Sequence, residues 1–251
     1  MAVTRALSER HARERASGRL TYEQLARHDR RNASAARRAR IRARTARLVS
    51  RCGLGPGTRA LELGCGAGEY TIGLAASGAD VTGVDLSAEL GGVARERVPS
   101  ARFIVSDAES LAGVDDATMD CVVGNAALHH FDLGAALASI RRVLKPGGCM
   151  GFAEPNMLNP IIFLRKNIPV LKRWVGDTPD ETAFVKWRVA RAIREAGFVD
   201  VEVEPFEFLL PGTPEPLVER VAKVSERLDH QPLVREIAGS LMIFARKPHP
   251  R

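Results

Sequence analysis

Aromatic residues and long apolar runs are scarce in this chain. Tryptophan, tyrosine and phenylalanine make up 5% of its 251 residues, so we expect a core built mainly of alanine, valine and leucine. No segment reaches the roughly 18 consecutive apolar residues that a membrane-spanning helix needs. The first residues, MAVTRALSERHARER, lack the apolar segment of a secretory signal. These absences exclude a spanning helix on sequence grounds, and we expect a cytoplasmic protein.

Cysteine is also rare. The four cysteines, at positions 52, 65, 121 and 149, show no metal-ligand spacing, and Cys121 and Cys149 lie within apolar, strand-like segments. Disulfide frameworks are typical of small secreted domains, which this chain does not resemble in composition. We therefore predict reduced thiols in or near the core, in a reducing compartment.

The net charge of +7 is concentrated in one place. Nine arginines fall between residues 27 and 47, in an alanine-rich segment whose apolar residues recur at helical spacing. Nucleic-acid-binding segments often combine such basic runs with aromatic residues for stacking, but this run contains none. We interpret residues 1–55 as an N-terminal helical cap with a solvated basic surface, and we expect no nucleic-acid partner.

Beyond GLGPGT at 53–58, short apolar segments alternate with helical ones. The predicted strands are RALELG, DVTGVD, RFIVSD, MDCVVGNAAL, CMGFAEP, FVDVEVEPFEF and SLMIFARK, with KPGG as a tight turn before the fifth and a helix over 183–196 before the sixth. Strands that alternate with helices pair in parallel through right-handed crossovers. The pattern predicts an α/β fold with a doubly wound, Rossmann-like, seven-stranded and mostly parallel sheet in a domain over 56–251.

Residues 156–182 interrupt this alternation after strand five. The segment contains three prolines and an apolar set made of Ile161, Ile162, Phe163, Leu164, Ile168, Val170, Leu171, Trp174 and Val175. We interpret it as a lid insertion that forms a pocket for a partly apolar or aromatic small molecule. Docking to a membrane surface or a lipid substrate is one alternative, and a small helical hairpin packed on the sheet edge is another.

Three glycines, at 64, 66 and 68, follow the first strand in RALELGCGAGEYT. Their spacing is not G-x-G-x-x-G, and the Lys-Ser/Thr pair of a phosphate-binding loop is absent. Acidic residues stand at the ends of the first three strands, at Glu62, Asp85 and Asp107. A lone Asp at such a place is often a turn or N-cap residue. Taken together, these acids would repel a pyrophosphate, but they suit a ribose, an amino group or a cationic ligand.

Five segments in this order, LELGCGAG, GVDLS, SDAESL, MDCVVGNAALHHF and LKPGG, resemble the successive motifs of class I S-adenosylmethionine-dependent methyltransferases. The resemblance covers residues 55–155 closely and 183–250 by strand pattern. It implies S-adenosyl-L-methionine as cofactor and methyl transfer to an oxygen, nitrogen or carbon atom of a small molecule, as in secondary metabolism. The alternatives are a related enzyme that binds the cofactor without methylating, and a methyltransferase for lipid or nucleic acid.

The same resemblance implies how the first motif would bind the cofactor. Gly64, Gly66 and Gly68, with Cys65 between them, would pass the backbone around the methionine part. Glu62 would order this loop and meet the amino group, since a carboxylate accepts hydrogen bonds from an amine.

The second and third motifs would hold the nucleoside. By the resemblance, Asp85 would bind both ribose hydroxyls, and Leu86 would pack on the adenine. Asp107 would accept a hydrogen bond from the adenine amino group, with Ala108 beside it. In such proteins an N-terminal helix commonly closes over the cofactor, which could bring Tyr22, His28 and Arg31 to the methionine carboxylate.

The end of strand four is where the reaction would take place. By the resemblance, Asn125 and Ala126 would lie along the methionine chain near the sulfonium. His129 and His130 follow directly, and a histidine can accept a proton near neutral pH. We prefer His130 as the base, with His129 and Glu154 as further candidates. Alternatively, one histidine caps the next helix and Glu154 holds the insertion. No metal is expected, because no carboxylate cluster completes a metal site with the two histidines.

Overall fold

The computed structural model of the protein describes residues 34–175 and 182–250. In these ranges seven strands form one sheet: β1 (Arg59–Leu63), β2 (Asp80–Asp85), β3 (Arg102–Val105), β4 (Met119–Asn125), β5 (Leu144–Pro155), β6 (Val199–Phe206) and β7 (Ser240–Arg246). The order across the sheet is β3-β2-β1-β4-β5-β7-β6. Every pairing is parallel except those of β7, which runs antiparallel to β5 and β6. The predicted doubly wound, mostly parallel sheet is confirmed.

Eight α-helices connect or flank these strands within the described ranges: α1 (Ala35–Cys52), α2 (Thr71–Ala75), α3 (Ala88–Arg97), α4 (Leu133–Val143), α5 (Pro160–Asn167), α6 (Pro169–Val175), α7 (Lys186–Glu195) and α8 (Val218–Asp229). Four of them begin at a side-chain cap: Ser34, Ser87, Asp132 and Asn159 each accept a hydrogen bond from a backbone N–H of the first turn. None of the helices described is long and apolar enough to cross a bilayer.

Both faces of the sheet are covered, as a parallel sheet requires. Successive strand residues pack on opposite sides, with Leu61 and Val122 in one apolar cluster and Ala60 and Cys121 in the other. The predicted small aliphatic core is confirmed, since among the largest fully buried side chains Phe152 is the one aromatic residue. All four cysteines are free and buried, as predicted.

The predicted turn at KPGG is wrong, because these residues belong to β5. Met119 of β4 lies opposite Leu144, whereas Cys121, two residues on, lies opposite Cys149, so β5 bulges by three residues here. The bulge pairs with the chain beyond β7: the N–H of Gly147 donates to the carbonyl of Lys247 at 2.9 Å. Pairing with a distant segment therefore extends the strand through a sequence that is typical of a turn.

The helix predicted over 183–196 starts later, at Lys186. The N–H of Phe184 donates to the carbonyl of Pro155 at 3.0 Å, and the carbonyl of Phe184 accepts from the N–H of Met157 at 2.8 Å. This β-bridge extends the end of β5 and keeps residue 184 in an extended conformation, so the helix can form only after it.

The described part of the N-terminal segment packs against the sheet. Leu48 and Cys52 of α1 belong to the same buried cluster as Phe206 and Phe244. The boundary at residue 55 stays a prediction. Tyr22, His28 and Arg31, predicted near the methionine carboxylate, lie outside the described residues.

Candidate functional site

The strand order brings the predicted site residues to one edge of the sheet. The carboxyl ends of β3, β2, β1 and β4 are neighbours, with Asp85 opposite Val105 and Leu63 opposite Gly124. Asn125 at the end of β4 and the segments that follow β1 and β3, which contain the glycines and Asp107, therefore lie side by side. Ligands in open α/β sheets bind at this edge.

Asp85 organises the glycine loop. Its Oδ2 accepts a hydrogen bond from the N–H of Gly66 and its Oδ1 accepts one from the N–H of Ser87, both at 2.9 Å. The carbonyl of Val84 accepts from the N–H groups of Gly64 and Cys65 at 2.9 and 3.1 Å. Each carboxylate oxygen can accept more than one hydrogen bond, so Asp85 can hold the loop and still accept from a ligand hydroxyl.

The three glycines serve different purposes. A Cβ at Gly66, where φ is +51°, would meet nothing within 4 Å, so its absence leaves open space beside the loop. A Cβ at Gly64 would lie 3.1 Å from the Cβ of Ala127, and one at Gly68 would lie 3.3 Å from the Cβ of Ala94. Gly66 thus leaves open space beside the loop, whereas Gly64 and Gly68 allow the loop to pack closely against Ala127 and Ala94.

Glu62 lies beneath this loop rather than at its surface. It is 2% exposed, and its Oε2 accepts a hydrogen bond of 2.5 Å from the hydroxyl of Thr71, the first residue of α2. Burial raises the pKa of Glu62 to about 8, more than the hydrogen bond from Thr71 lowers it. Glu62 is therefore mostly uncharged near neutral pH and ties α2 to β1; its contact with the cofactor amino group stays a prediction.

Asp107 shapes the turn after β3. Its Oδ1 accepts from the N–H of Glu109 at 2.9 Å, and its carbonyl accepts from the N–H of Leu111 at 2.7 Å. The side chain is half-buried, and Ala108 beside it is buried. The carboxylate thus stands at the edge of the sheet next to the end of β2, where an adenine group could reach it.

The segment after β4 is held by a fully buried carboxylate. Glu154 accepts hydrogen bonds from the N–H groups of Ala127 and Leu128, both at 2.9 Å, and its Oε2 lies 2.7 Å from Nδ1 of His129. Burial alone would raise the pKa of Glu154, but the contacts with His129 and the two amides outweigh it and lower the pKa. The ring of His129 in turn contacts the ring of His130, with centroids 4.2 Å apart and planes tilted by 36°.

A cavity of about 490 Å³ opens between the glycine loop, the end of β4 and α5. The predicted site residues that line it are Gly64, Cys65, Gly66, Asn125, Ala126 and His130. Those that do not line it are Glu62, Gly68, Asp85, Leu86, Asp107, Ala108, His129 and Glu154. A larger cavity of about 750 Å³ between α4 and α7 contains none of the predicted site residues.

The three candidate bases differ in whether their side chains reach this cavity. The structure does not bring Glu154 or His129 to the cavity, because both are buried and bonded to each other behind it. His130 lines the cavity and is the candidate that the geometry favours. The alternative role of Glu154, to hold the insertion, is also wrong, because its hydrogen bonds go to Ala127, Leu128 and His129. The start of the insertion is held by Asn156, whose Nδ2 donates to the carbonyls of Glu236 and Ala238 at 2.9 and 2.8 Å.

The structure contains an arginine network at the cavity that the sequence does not predict. Arg44 of α1 is 7% exposed, so the expectation of a solvated basic surface is wrong at this residue. Its Nε donates to Oε1 of Glu207 at 2.9 Å, its Nη1 to Oδ1 of Asn125 at 2.7 Å and its Nη2 to the hydroxyl of Ser240 at 2.7 Å. Arg40 Nη2 donates to Oε2 of Glu207 at 2.5 Å. One buried side chain thus connects α1 to the ends of β4, β6 and β7.

A sequence signal for this network exists in the helical spacing. Ala36, Arg40, Arg44 and Leu48 recur every four residues, which places both arginines on the apolar face of α1. An arginine on the core-facing side of a helix needs a buried acidic partner. No local feature of the sequence marks Glu207, which follows β6, as that partner.

Glu207→Gln should lower the free energy of unfolding by about 2 kcal/mol, because two guanidinium groups lose their charged partner. Burial would raise the pKa of Glu207, but Arg44 and Arg40 lower it to about 2. The stabilisation is therefore fully present above the ordinary carboxyl pKa and is lost as the pH falls through about 2. Urea unfolding from pH 7 down to pH 2 measures it. Glu202→Gln, at an exposed pair with Arg51, is the control; equal losses in both variants would contradict the assignment.

The segment predicted as a lid is helical where it is described, in α5 and α6, but its apolar residues do not form the predicted pocket. Ile162 and Arg165 of α5 line the cavity. By contrast, Ile161 and Val170 are 58% and 65% exposed, and Phe163, Leu164, Ile168 and Leu171 are exposed as well. The side chains at 173–175 and residues 176–181 are outside the described set. The expectation of an apolar pocket wall is therefore wrong for most of the described lid.

Comparison with known proteins places this site in a wider group. The methyltransferase domain family matches residues 61–152, from β1 into β5. An uncharacterised methyltransferase of Synechocystis sp. is 32% identical over 153 residues, which cover 59% of this chain and 70% of that protein. A demethylmenaquinone methyltransferase of Staphylococcus aureus is 27% identical over 184 residues, covering 64% of this chain and 76% of that protein.

A solved structure shares the fold over almost the whole chain. It is an S-adenosylmethionine-dependent methyltransferase of Thermotoga maritima, described as a possible histamine N-methyltransferase. It has a TM-score of 0.64 and 19% sequence identity and covers 90% of this chain and 97% of its own.

Proposed function

This chain belongs to the class I S-adenosylmethionine-dependent methyltransferases, and from that premise we propose that it methylates a small molecule bound beside His130. The enzyme class and the cofactor follow from the family; the acceptor and the residue roles are the proposal. The observation that supports it best is the cavity of about 490 Å³, which joins the glycine loop to His130 and to α5. A space of this size suits a small acceptor.

The residues present fit S-adenosylmethionine. Gly66 leaves open space beside the loop, and Asp85 keeps acceptor capacity for hydroxyl groups. The Nδ2 of Asn125 is a buried donor without a hydrogen-bond acceptor among the described residues, so it can donate to an oxygen of the ligand. We assign the methionine part to the loop and to Asn125, and the nucleoside to Asp85 and Asp107 on the open edge beside the cavity.

The bound cofactor supplies an electrophilic methyl group on a sulfonium, so the protein mainly orients the acceptor and excludes water. His130 faces the cavity and can take the proton of a hydroxyl acceptor; an amine or an activated carbon needs less help. Glu154 and His129 act as positioning residues, because they fix the backbone that carries His130. The described wall of the cavity contains no other histidine.

A lipid acceptor is the second candidate. Six large apolar residues are exposed within 161–171 of α5 and α6, and Arg165 and Lys172 lie among them. A basic surface with exposed apolar residues favours contact with an anionic membrane. The lid that borders the cavity would then receive its acceptor from the bilayer.

The test is transfer from cofactor that carries a labelled methyl group. The purified protein is incubated with phenols, amines and quinols, each dissolved and in detergent micelles, and both the label in the acceptor and the S-adenosylhomocysteine formed are measured. We expect transfer to a dissolved acceptor with equal amounts of both products. Transfer confined to micelles would favour the lipid candidate. Binding of S-adenosylhomocysteine with no transfer to any acceptor would favour the non-methylating alternative.

A further inference from the structure

Three of the four cysteines form a cluster at the edge of the sheet opposite the candidate site. Sγ of Cys149 lies 3.1 Å from Sγ of Cys52, and Sγ of Cys121 lies 3.1 Å from the carbonyl oxygen of Cys52. Cys121 and Cys149 lie opposite each other in the pairing of β4 and β5, towards the amino ends of these parallel strands. The proposed function involves none of these three thiols.

The packing of α1 on β5 brings two of the thiols together. Cys52 is the last residue of α1 and lies one helical turn after Leu48, on the face that packs against the sheet. Gly151 follows Cys149 by two residues in β5, so both face the same side of the strand. A Cβ at Gly151 would lie 2.7 Å from Sγ of Cys52, so the glycine allows α1 to approach β5 this closely. The sulfurs of a disulfide are about 2 Å apart, so the pair needs to close by about 1 Å.

A cavity beside the cluster gives small molecules access to these thiols. Its volume is about 460 Å³, and Cys52, Cys121 and Cys149 all line it. The exposed residues Pro56 and Pro146 line it as well, so it is open to solvent. Cys52 and Cys149 are otherwise buried, at 8% and 4% exposure. Since a water molecule occupies about 30 Å³ in the liquid, the cavity has room for a small oxidant such as hydrogen peroxide.

The two thiols differ in their electrostatic surroundings. Arg246 lies opposite Cys149 in the pairing of β5 and β7 and lines the same cavity. The contact with the Cys52 thiol, followed by the charges of Arg246 and Arg51, lowers the pKa of Cys149 more than burial raises it. Contacts with Cys121 and Cys149, together with burial, raise the pKa of Cys52. Because the thiolate is the reactive form, Cys149 is the better nucleophile of the pair.

We propose that Cys52 and Cys149 form a modification site, at which hydrogen peroxide produces a reversible disulfide between α1 and β5. The Cys149 thiolate attacks one peroxide oxygen: an S–O bond forms, the O–O bond breaks, and the departing hydroxide takes up the proton that Cys149 had lost and leaves as water. The sulfur of Cys52 then attacks the sulfenic sulfur, the S–S bond forms, and the S–O bond breaks. The proton of Cys52 leaves with the hydroxide as a second water. The two thiols thus lose two electrons, and one peroxide is reduced to two waters.

The disulfide would tie the N-terminal helix to the centre of the sheet. It joins residues that are 97 positions apart in the chain. A bond that closes so long a loop restricts the unfolded chain, so the oxidised protein should resist urea at least as well as the reduced protein. Neither cysteine of the pair lines the cavity of about 490 Å³, so the modification is independent of the proposed methyl transfer.

Peptide mapping of the oxidised wild type tests this inference. The purified full chain is treated with hydrogen peroxide, its remaining thiols are alkylated in urea, and it is digested without reduction and analysed by mass spectrometry. We expect the four free thiols to fall to two, with one linked peptide pair that contains Cys52 and Cys149. Dithiothreitol should restore all four thiols. The midpoint of urea unfolding should not be lower after oxidation than before.

Substitutions in the cluster provide the controls. Cys52→Ala and Cys149→Ala should each prevent the linked pair. Cys121→Ala removes a buried thiol that lines the same cavity, and it should leave the linked pair unchanged. The inference would be overturned by a wild type that forms no linked pair, by a link that uses Cys121 or Cys65, or by a lower urea midpoint after oxidation. The mapping uses the wild type, so it decides the question even if a variant fails to fold.

Discussion

Asp85→Ala should weaken the binding of S-adenosylhomocysteine at least about 100-fold, because each lost hydrogen bond to a charged group costs about 1.5–3 kcal/mol. The substitution removes the acceptors proposed for the two ribose hydroxyls. It also releases the N–H groups of Gly66 and Ser87, which Asp85 holds at 2.9 Å. Cofactor recognition and loop order thus depend on one side chain. Isothermal titration calorimetry measures the change.

Asp80→Ala is the matched control for this result. Asp80 begins the same strand that Asp85 ends, and its carboxylate forms an exposed pair with Arg102. It should leave the affinity within about twofold, since exposed ion pairs contribute little. Asp85→Asn separates the role in holding the loop from the role in binding the cofactor. Its amide oxygen can still accept a hydrogen bond from one loop N–H, but the charged acceptor is lost. Unchanged affinity in Asp85→Ala would refute the role assigned to Asp85.

His130→Ala should lower the turnover number about 100-fold for a hydroxyl acceptor, the contribution typical of a general base. Among the described residues it is the histidine that lines the cavity, and its ring contacts that of His129, with centroids 4.2 Å apart. Steady-state turnover at saturating cofactor measures the loss, and calorimetry with S-adenosylhomocysteine shows whether cofactor binding is retained.

His230→Ala provides the control for the second prediction, since His230 is exposed at the end of α8. Its turnover should match that of the wild type. The pH profile adds an independent readout: the activity of the wild type should fall at acidic pH, and this fall should disappear in His130→Ala. Normal turnover in His130→Ala would mean that the base is elsewhere or that the acceptor needs none.

Local patterns were sufficient for much of this protein. The order of strands and helices, the glycine loop after β1 and the acids at the ends of β2 and β3 all follow from segments of about ten residues. Each such segment reports its own conformation through apolar periodicity and turn residues. The resemblance to a family then implied the cofactor, because the motif residues lie at strand ends that neighbour each other in the parallel sheet.

Local sequence patterns predicted the wrong conformation where a segment hydrogen-bonds to a segment far away in the chain. KPGG forms part of β5 because Gly147 bonds to Lys247, and residue 184 stays extended because it bonds to Pro155 and Met157. Neither partner can be identified from the segment itself. The apolar lid residues misled the prediction for a related reason, since hydrophobicity does not tell whether a side chain faces a pocket or solvent.

The sequence by itself determined the fold class, the glycine loop and the identity of the acids beside it, because these depend on neighbours along the chain. Tertiary structure alone decided which side chains line the cavity. Glu154 and His129 do not line it, whereas Arg44 does, and its partner Glu207 is 163 residues away in the sequence. A buried charge is stable only beside its counter-charge. Where that counter-charge lies is a property of packing and cannot be inferred from any single stretch of residues.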